Sequence, residues 1–328
     1  MQNVRLVLYF FVFSSFVFIS IQCASKKRPD DKIDYKVVWE VIRDTLFEKG
    51  VAISPLHPSI VQEKGGFEKA NTDTFYFQEQ DVLPIWQLSQ WHSKYDFANT
   101  LPVRKEDGSI EYSNRGKRIV RYAEGTLLLD ITTSTEYIQP RKDGEDWPHL
   151  LIEQTFERKP NVGRAKELIF SMALRLMKCE NKMKEGEFNE SFHTAQSPFY
   201  FILKNTNEQS EDFNKSIWLG IPSFDYRYTH MNEDELISWD IGTNMYIYNV
   251  PQKLIWGDIS FQDMEWHKTQ TNILPLIKQA VESMKSKDLF LLTSLSDLEL
   301  VGMNFGWEVP GTFDAAILVK GISLKVVD

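Results

Sequence analysis

The residues best equipped for chemistry fall in three short segments. The first is Arg141-Lys-Asp-Gly-Glu145-Asp146-Trp147-Pro148-His149, running on through Leu-Leu-Ile to Glu153. A guanidinium fork can grip a carboxylate or two hydroxyls, an indole can stack on a pyranose face, and a glutamate or histidine can move protons. In a strand, His149, Leu151 and Glu153 share one face. That makes Glu153 and His149 candidate catalytic groups, even a candidate acid/base pair, and Arg141 and Trp147 candidate ligand contacts. The same residues also make sense as a closed network, with Arg141 paired to Glu145 and Trp147-Pro148 sealing the end of a sandwich.

The second segment, Ser223-Phe-Asp225-Tyr226-Arg227-Tyr228, follows the apolar run Ile217-Trp-Leu-Gly-Ile221. Asp225 and Arg227 alternate onto one face, as a ligand-binding couple or as an internal ion pair. The third is Gly306-Trp307-Glu308 with Asp314 further on. Glu308 is a candidate general acid or base, and a retaining glycosidase would need a second carboxylate about 5–5.5 Å away. The alternative is a tight turn with Trp307 buried. Gln87, Gln90, Trp91 and His92 add a further mixture of planar polar and aromatic groups, the chemistry that suits sugar hydroxyls and sugar faces.

Other chemistries find no support. The histidines His57, His92, His149, His193, His230 and His267 lack the close spacing of zinc ligands, and there is no Gly-x-Ser-x-Gly elbow or phosphate-cradling glycine loop. The acidic stretch Asn232-Glu-Asp-Glu235 could hold calcium but is more simply solvated charge. No metal and no cofactor are expected. The net charge of −9, with basic residues dispersed rather than clustered, excludes a nucleic-acid partner.

These groups need elements to position them. A polar linker spans 26–33, and Val38, Val41, Ile42 and Leu46 recur at helical spacing, which predicts a helix over 34–49 ended by Gly50. After Gly50 short β-branched and aromatic runs alternate with turn formers. Strands are predicted at 51–54, 74–78, 85–92, 117–123, 126–133, 150–156, 199–204, 217–220, 245–249, 298–304 and 315–326. The segment 167–179 fits strand and helix templates alike, and its neighbours favour strand. A second helix is predicted over 272–285 from Ile273, Leu276, Ile277, Ala280, Val281 and Met284. The sum is an all-β chain, an antiparallel two-sheet jelly-roll β-sandwich with one or two accessory α-helices, as a single domain over 34–328. Division into two smaller sandwiches would fall at 180–196 or 205–214.

The N-terminus predicts export. Arg5 followed by the apolar run Leu6 to Ile21 reads as a signal peptide over 1–25, shorter than the about 20 apolar residues of a membrane span. Cys23 directly after that run is a candidate lipidation site, ordinary cleavage that discards it is the alternative, and an uncleaved anchor is a third. In the first two cases Cys179 is left as the single thiol, so no intramolecular disulfide supports the mature fold. The expected location is the outer membrane or cell surface as a lipoprotein of the cell envelope, otherwise the periplasm or the medium. Contact with a membrane would come only through an N-terminal lipid.

Three segments carry a resemblance: Trp86-Gln-Leu-Ser-Gln-Trp-His92, Pro140 through Glu153, and Asn304-Phe-Gly-Trp-Glu308 with the closing run Ile317 to Val326. They resemble bacterial secreted jelly-roll proteins of concanavalin A-like or galactose-binding-like type, lipoproteins and carbohydrate-active modules of glycan-using bacteria. The resemblance implies a glycan partner and carries over no functional residue. The leading expectation is an extracytoplasmic polysaccharide-binding protein. A polysaccharide-cleaving hydrolase or lyase is the alternative, and a structural or assembly lipoprotein a second one.

Overall fold

Period-two alternation builds the longest elements. Between Glu167 and Asn181 the side chains of Leu168, Phe170, Met172, Leu174 and Leu176 are buried, and most residues between them are not. That is the pattern of a strand with one face in the core, and strands on both sides supply the backbone partners that a helix would not need.

The computed structural model describes residues 37–78, 83–231, 236–240 and 243–327. Its strands are β1 (Val37–Glu40), β2 (Val51–Ile53), β3 (Asp73–Phe75), β4 (Trp86–Ser89), β5 (Val103–Arg104) and β6 (Ile110–Ser113). They continue with β7 (Lys117–Arg121), β8 (Leu127–Thr132), β9 (His149–Thr155), β10 (Glu167–Asn181), β11 (Gln196–Asn205) and β12 (Ser216–Asp225). The remainder are β13 (Ile237–Asp240), β14 (Met245–Asn249), β15 (His267–Asn272), β16 (Leu298–Glu308) and β17 (Phe313–Val327). Helices are α1 (Pro58–Glu63), α2 (Phe67–Ala70), α3 (Gln252–Ile255) and α4 (Leu274–Lys285), of which only α4 exceeds two turns.

The strands form two sheets. The smaller runs β15-β10-β17-β8-β7-β6-β5, with β1 also pairing β17, and the larger runs β13-β14-β12-β11-β16-β9-β4-β2-β3. Pairing is antiparallel except for β12 with β14 and β2 with β4, which are parallel. The inner faces share one apolar core. Phe170 of the smaller sheet meets Phe199 and Phe201 of the larger at ring-centroid distances of 4.9 and 5.2 Å. Trp307, fully buried, donates from Nε1 to the Leu129 carbonyl of the opposite sheet at 2.9 Å. The helix α4 adds Leu274, Ile277, Ala280, Val281 and Met284 to that core. The jelly-roll sandwich expected from the sequence is therefore present.

One expectation needs correction. The helix placed over 34–49 does not form in its described part: residues 37–40 are β1, held by backbone pairing to β17, and turns follow. Asp44 adopts a left-handed φ of 53° and its carboxylate accepts from the backbone amides of Glu48 at 2.7 Å and Lys49 at 3.1 Å. Side-chain bonding of this kind competes with the helix ladder. The apolar spacing serves the core instead, since Val41, Ile42 and Phe47 are all buried. The short strands β5, β6, β13 and β15 were not legible; β15, His-Lys-Thr-Gln-Thr-Asn, has no apolar residue to reveal it.

Candidate functional site

On β9 and β16 the residues Leu150, Ile152, Phe305 and Trp307 face the core, so His149, Leu151, Glu153, Asn304, Gly306 and Glu308 face outward. Strand register then sets which of these meet. One row crosses the sheet as His149, Glu308, Gln196 and Asp225, each the direct partner of the next. A second row runs Gln87, Glu153, Asn304, Tyr200, Gly220 and Asn249. Directly opposed residues have Cβ atoms about 4.5–5.5 Å apart, whereas four residues along a strand cover about 13 Å. His149 and Glu153, both on β9, therefore do not meet as an acid/base pair. His149 is instead the neighbour of Glu308.

Glu308 is the most distinctive acid of this face. Its side chain is recessed, and Gln196 donates from Nε2 to its Oε2 at 2.8 Å. Burial pushes its pKa up to about 7, the Gln196 hydrogen bond opposes the rise, and the charge of Asp240 adds to it. A carboxyl that keeps its proton near neutral pH while fixed by one hydrogen bond can act as a general acid. His149 departs in the other direction, burial and then the nearby His92 lowering it to about 4, so it is neutral at pH 7. Burial also raises Glu153, against the opposing influence of Ser89 and Trp91.

Beside Glu308 and Gln196 lies a cavity of about 340 Å³ whose lining includes Gln196, Tyr200, Asp225, Trp239 and Asp240. Tyr200 packs on Trp218 at 5.1 Å between ring centroids. Gly220 makes room for it, because a Cβ there would stand 2.6 Å from Asn249 Oδ1 and 3.2 Å from Tyr200 Cε1. Trp239, on the edge strand β13, is 47 % exposed and rests against Tyr246. Asp240 accepts from the Thr243 amide at 2.8 Å and from its hydroxyl.

The other sequence candidates lie around this core. Asp225 lines the cavity, yet Arg227 holds it by Nη2 to Oδ2 at 2.6 Å and Nε to Oδ1 at 3.0 Å, and Thr194 donates to it as well. Arg141 is buried and its fork is aimed at backbone, donating to the carbonyls of Glu145 at 2.6 Å and Phe192 at 3.3 Å rather than to the Glu145 carboxylate. Trp147 contacts the Arg141 guanidinium, 4.8 Å from its ring, and the His149 ring at 5.7 Å. Asp314 belongs to the other sheet, opposite Thr132, and does not join Glu308. Cys23 and residues 232–235 lie outside the described residues. Among the described residues no group of three or more His, Cys, Asp or Glu side chains is placed to hold a metal.

Sequence reasoning did not single out Gln196, Tyr200 or Asp240. The first two could have been found by extending the run Phe199 to Lys204 backwards with period two. Asp240 ends a four-residue edge strand, Ile-Ser-Trp-Asp, that carries no strand signal of its own.

Fold and site together define a jelly-roll β-sandwich with a polar, aromatic-lined cavity and a recessed acid on the outer face of its larger sheet. No known family profile and no curated protein matches the chain. Among solved structures it is similar to a family 12 xyloglucanase from Bacillus licheniformis, at 10% identity over 69% of this chain and 97% of that one, with a TM-score of 0.39. Endoglucanase Cel12A from Rhodothermus marinus is matched at 10% identity over 69% and 97% of the chains, with a TM-score of 0.36. The xyloglucanase domain of the effector NopAA from Sinorhizobium fredii, solved with cellobiose, is matched at 8% identity over 70% and 97%, with a TM-score of 0.35. Similarity of this degree says nothing about activity, which has to be argued from the chain's own residues.

Proposed function

We propose that this protein is a polysaccharide-cleaving hydrolase that takes its substrate on the outer face of the larger sheet. The observation that carries the reading is Glu308, a carboxyl whose pKa is raised by burial and which is fixed by Gln196, itself part of the wall of an aromatic-lined cavity. Sugar rings pack their C–H faces on Tyr200, Trp218 and Trp239, while Gln87, Asn304 and Gln196 meet hydroxyls. Glu308 gives its proton to the leaving glycosidic oxygen. Asp240, near enough for its charge to raise the Glu308 pKa, supplies the second carboxylate. It acts as nucleophile or as base on water, and the anomeric configuration of the first product tells which. Among the sequence candidates, Asp225 serves the cavity wall, while Arg141, Trp147 and Arg227 hold the loops that frame it.

Binding without cleavage is the second reading. It is favoured by one specific feature: the row partners of Glu308 are His149 and Gln196, neither a carboxylate. The deciding experiment incubates the purified protein with soluble β-glucans, xyloglucans and uronate-containing polysaccharides and counts new reducing ends. Retention without new ends favours binding alone. We place the protein outside the cytoplasm, on the strength of the apolar run that precedes Cys23. No helix of the described residues is long and apolar enough to cross a membrane.

A further inference from the structure

We propose that the far end of the same face holds an anionic substituent of the glycan, a carboxylate or a sulfate ester, through Lys204 and Lys159. This inference rests on the polysaccharide reading and deepens it by naming the substrate class.

The basic groups around the larger sheet are mostly committed. Arg227 is held by Asp225, Arg141 by backbone carbonyls, and Arg43 by Glu157. Lys215 pairs with Asp212, and Arg158 lies over the Trp39 ring. Lys204 and Lys159 differ. Among the described residues neither has a carboxylate within ion-pair distance, and both line one cavity of about 220 Å³ with Glu153, Thr155, Ile202 and Gly302. Lys204 follows Tyr200 and Ile202 with period two on β11, so its side chain leaves the same outer face, and it is half-buried. Its cross-strand partner is Glu299, which forms no ion pair with it. A half-buried ammonium without a counter-ion gives up solvation and gains nothing inside the fold, so a ligand anion would supply the missing partner.

Two features suit the cavity to an anion. Gly302 brings no side chain into the cavity, which leaves room for a ligand beside the lysines. Burial raises the pKa of Glu153, which weakens one of the two nearby carboxylates that would repel the ligand, Glu299 being the other. Gly302 is six residues from Glu308 on β16, about 20 Å along the strand, so the anionic unit binds well away from the bond to be broken. The chain's net charge of −9 opposes an anion at long range. Attraction must then be local, and sensitive to salt.

The test is calorimetric titration of the intact chain with three hexasaccharides: an oligogalacturonate, a sulfated galactan fragment and neutral cellohexaose. At least one anionic probe should bind more tightly than the neutral one, and only that preference should shrink with added salt. Which anionic probe wins separates carboxylate from sulfate. Lys204→Ala and Lys159→Ala should each weaken the preferred probe by about tenfold, the scale of a hydrogen bond to a charged group, and Lys204→Arg should retain it. Unchanged cellohexaose binding in the same variants controls for folding. Equal binding of all three probes, indifferent to the lysines, overturns the anionic subsite and leaves the glycan reading standing. Binding of none overturns both.

Discussion

Glu308 and His149 stand opposite one another across the β16–β9 ladder, an acid that keeps its proton beside a base that declines one. With pKa values of about 7 and about 4, the pair is uncharged over the interval between them. The arrangement presents a transferable proton on a pair that carries no charge of its own, with the Asp240 carboxylate near it. An uncharged pair can approach a sugar without first shedding a tightly held hydration shell of its own.

The pH response follows from that proton. A general acid must be protonated to act, so initial rates of reducing-end release should fall about tenfold per pH unit above about 7. Glu308→Gln should lower the rate by about 10²–10⁴-fold with the fold intact. A profile flat into the alkaline range would remove Glu308 from the role.

Stability responds to the same proton, but Glu308→Gln shifts it in the opposite direction to activity. Between its ordinary value of 4.5 and its folded value of about 7, Glu308 binds more proton in the folded chain than in the unfolded one. Stability therefore declines as pH rises through that window and stays lower above it. Glu308→Gln abolishes this term and should be the more stable protein at about pH 8, by about 1–3 kcal/mol in urea titrations, while being the less active. A variant less stable than the parent at that pH would contradict the burial account.

Trp147 is half-buried and has both the Arg141 guanidinium and the His149 ring against it, contacts that tie it to the fold. We expect Trp147→Ala to cost about 2–4 kcal/mol through lost packing and cation–π contact. Glycan affinity per folded molecule should stay unchanged. Tyr200, buried against Trp218, should differ: Tyr200→Ala is expected to cost stability and, beyond that, to lower affinity per folded molecule by about 1–2 kcal/mol. Melting temperature and affinity measured on both variants separate the two roles.

Gly306 has φ +148° and a Cβ there would lie 2.2 Å from the Leu150 carbonyl oxygen. Gly306→Ala must push β16 away from β9 or abandon that backbone geometry. A loss of about 2–4 kcal/mol is expected, together with a fall in activity, because the same movement displaces Glu308 relative to His149. A variant with parental stability would show that the two strands part easily.

The export expectation has its own check. If Cys23 carries lipid, Cys23→Ser should move the processed protein from the membrane fraction to the soluble one. A processed variant that stays with the membrane sinks the proposal.

Much of the sandwich was legible because its long strands are one-sided. Leu168, Phe170, Met172, Leu174 and Leu176 declare both a strand and its buried face, and the helix at 274–285 declares itself by its apolar stripe. The site was legible only as separate pieces. Glu308, His149 and Glu153 could be named from their chemistry, but their pairing depends on register between strands far apart in the chain, which no local spacing encodes. The helical spacing at Val41 and Ile42 misled for a related reason. Burial against another element rewards the same residues whether the backbone coils or turns, and at Asp44 a local hydrogen bond decided for the turn.

Strand β17 lies inside the smaller sheet, with β1, β10 and β8 all paired to it. Residues made early in synthesis therefore wait for partners that appear only when 313–327 have been added. Until then β10 and β8 have no β17 between them, and the smaller sheet remains two separate pieces with open edges. The smaller sheet of a nascent chain of this design stays open until nearly the end of its synthesis. Open edges of that duration are a hazard in a crowded compartment, and if the protein is exported as proposed, late closure would leave the chain easier to thread through a narrow pore before it takes shape.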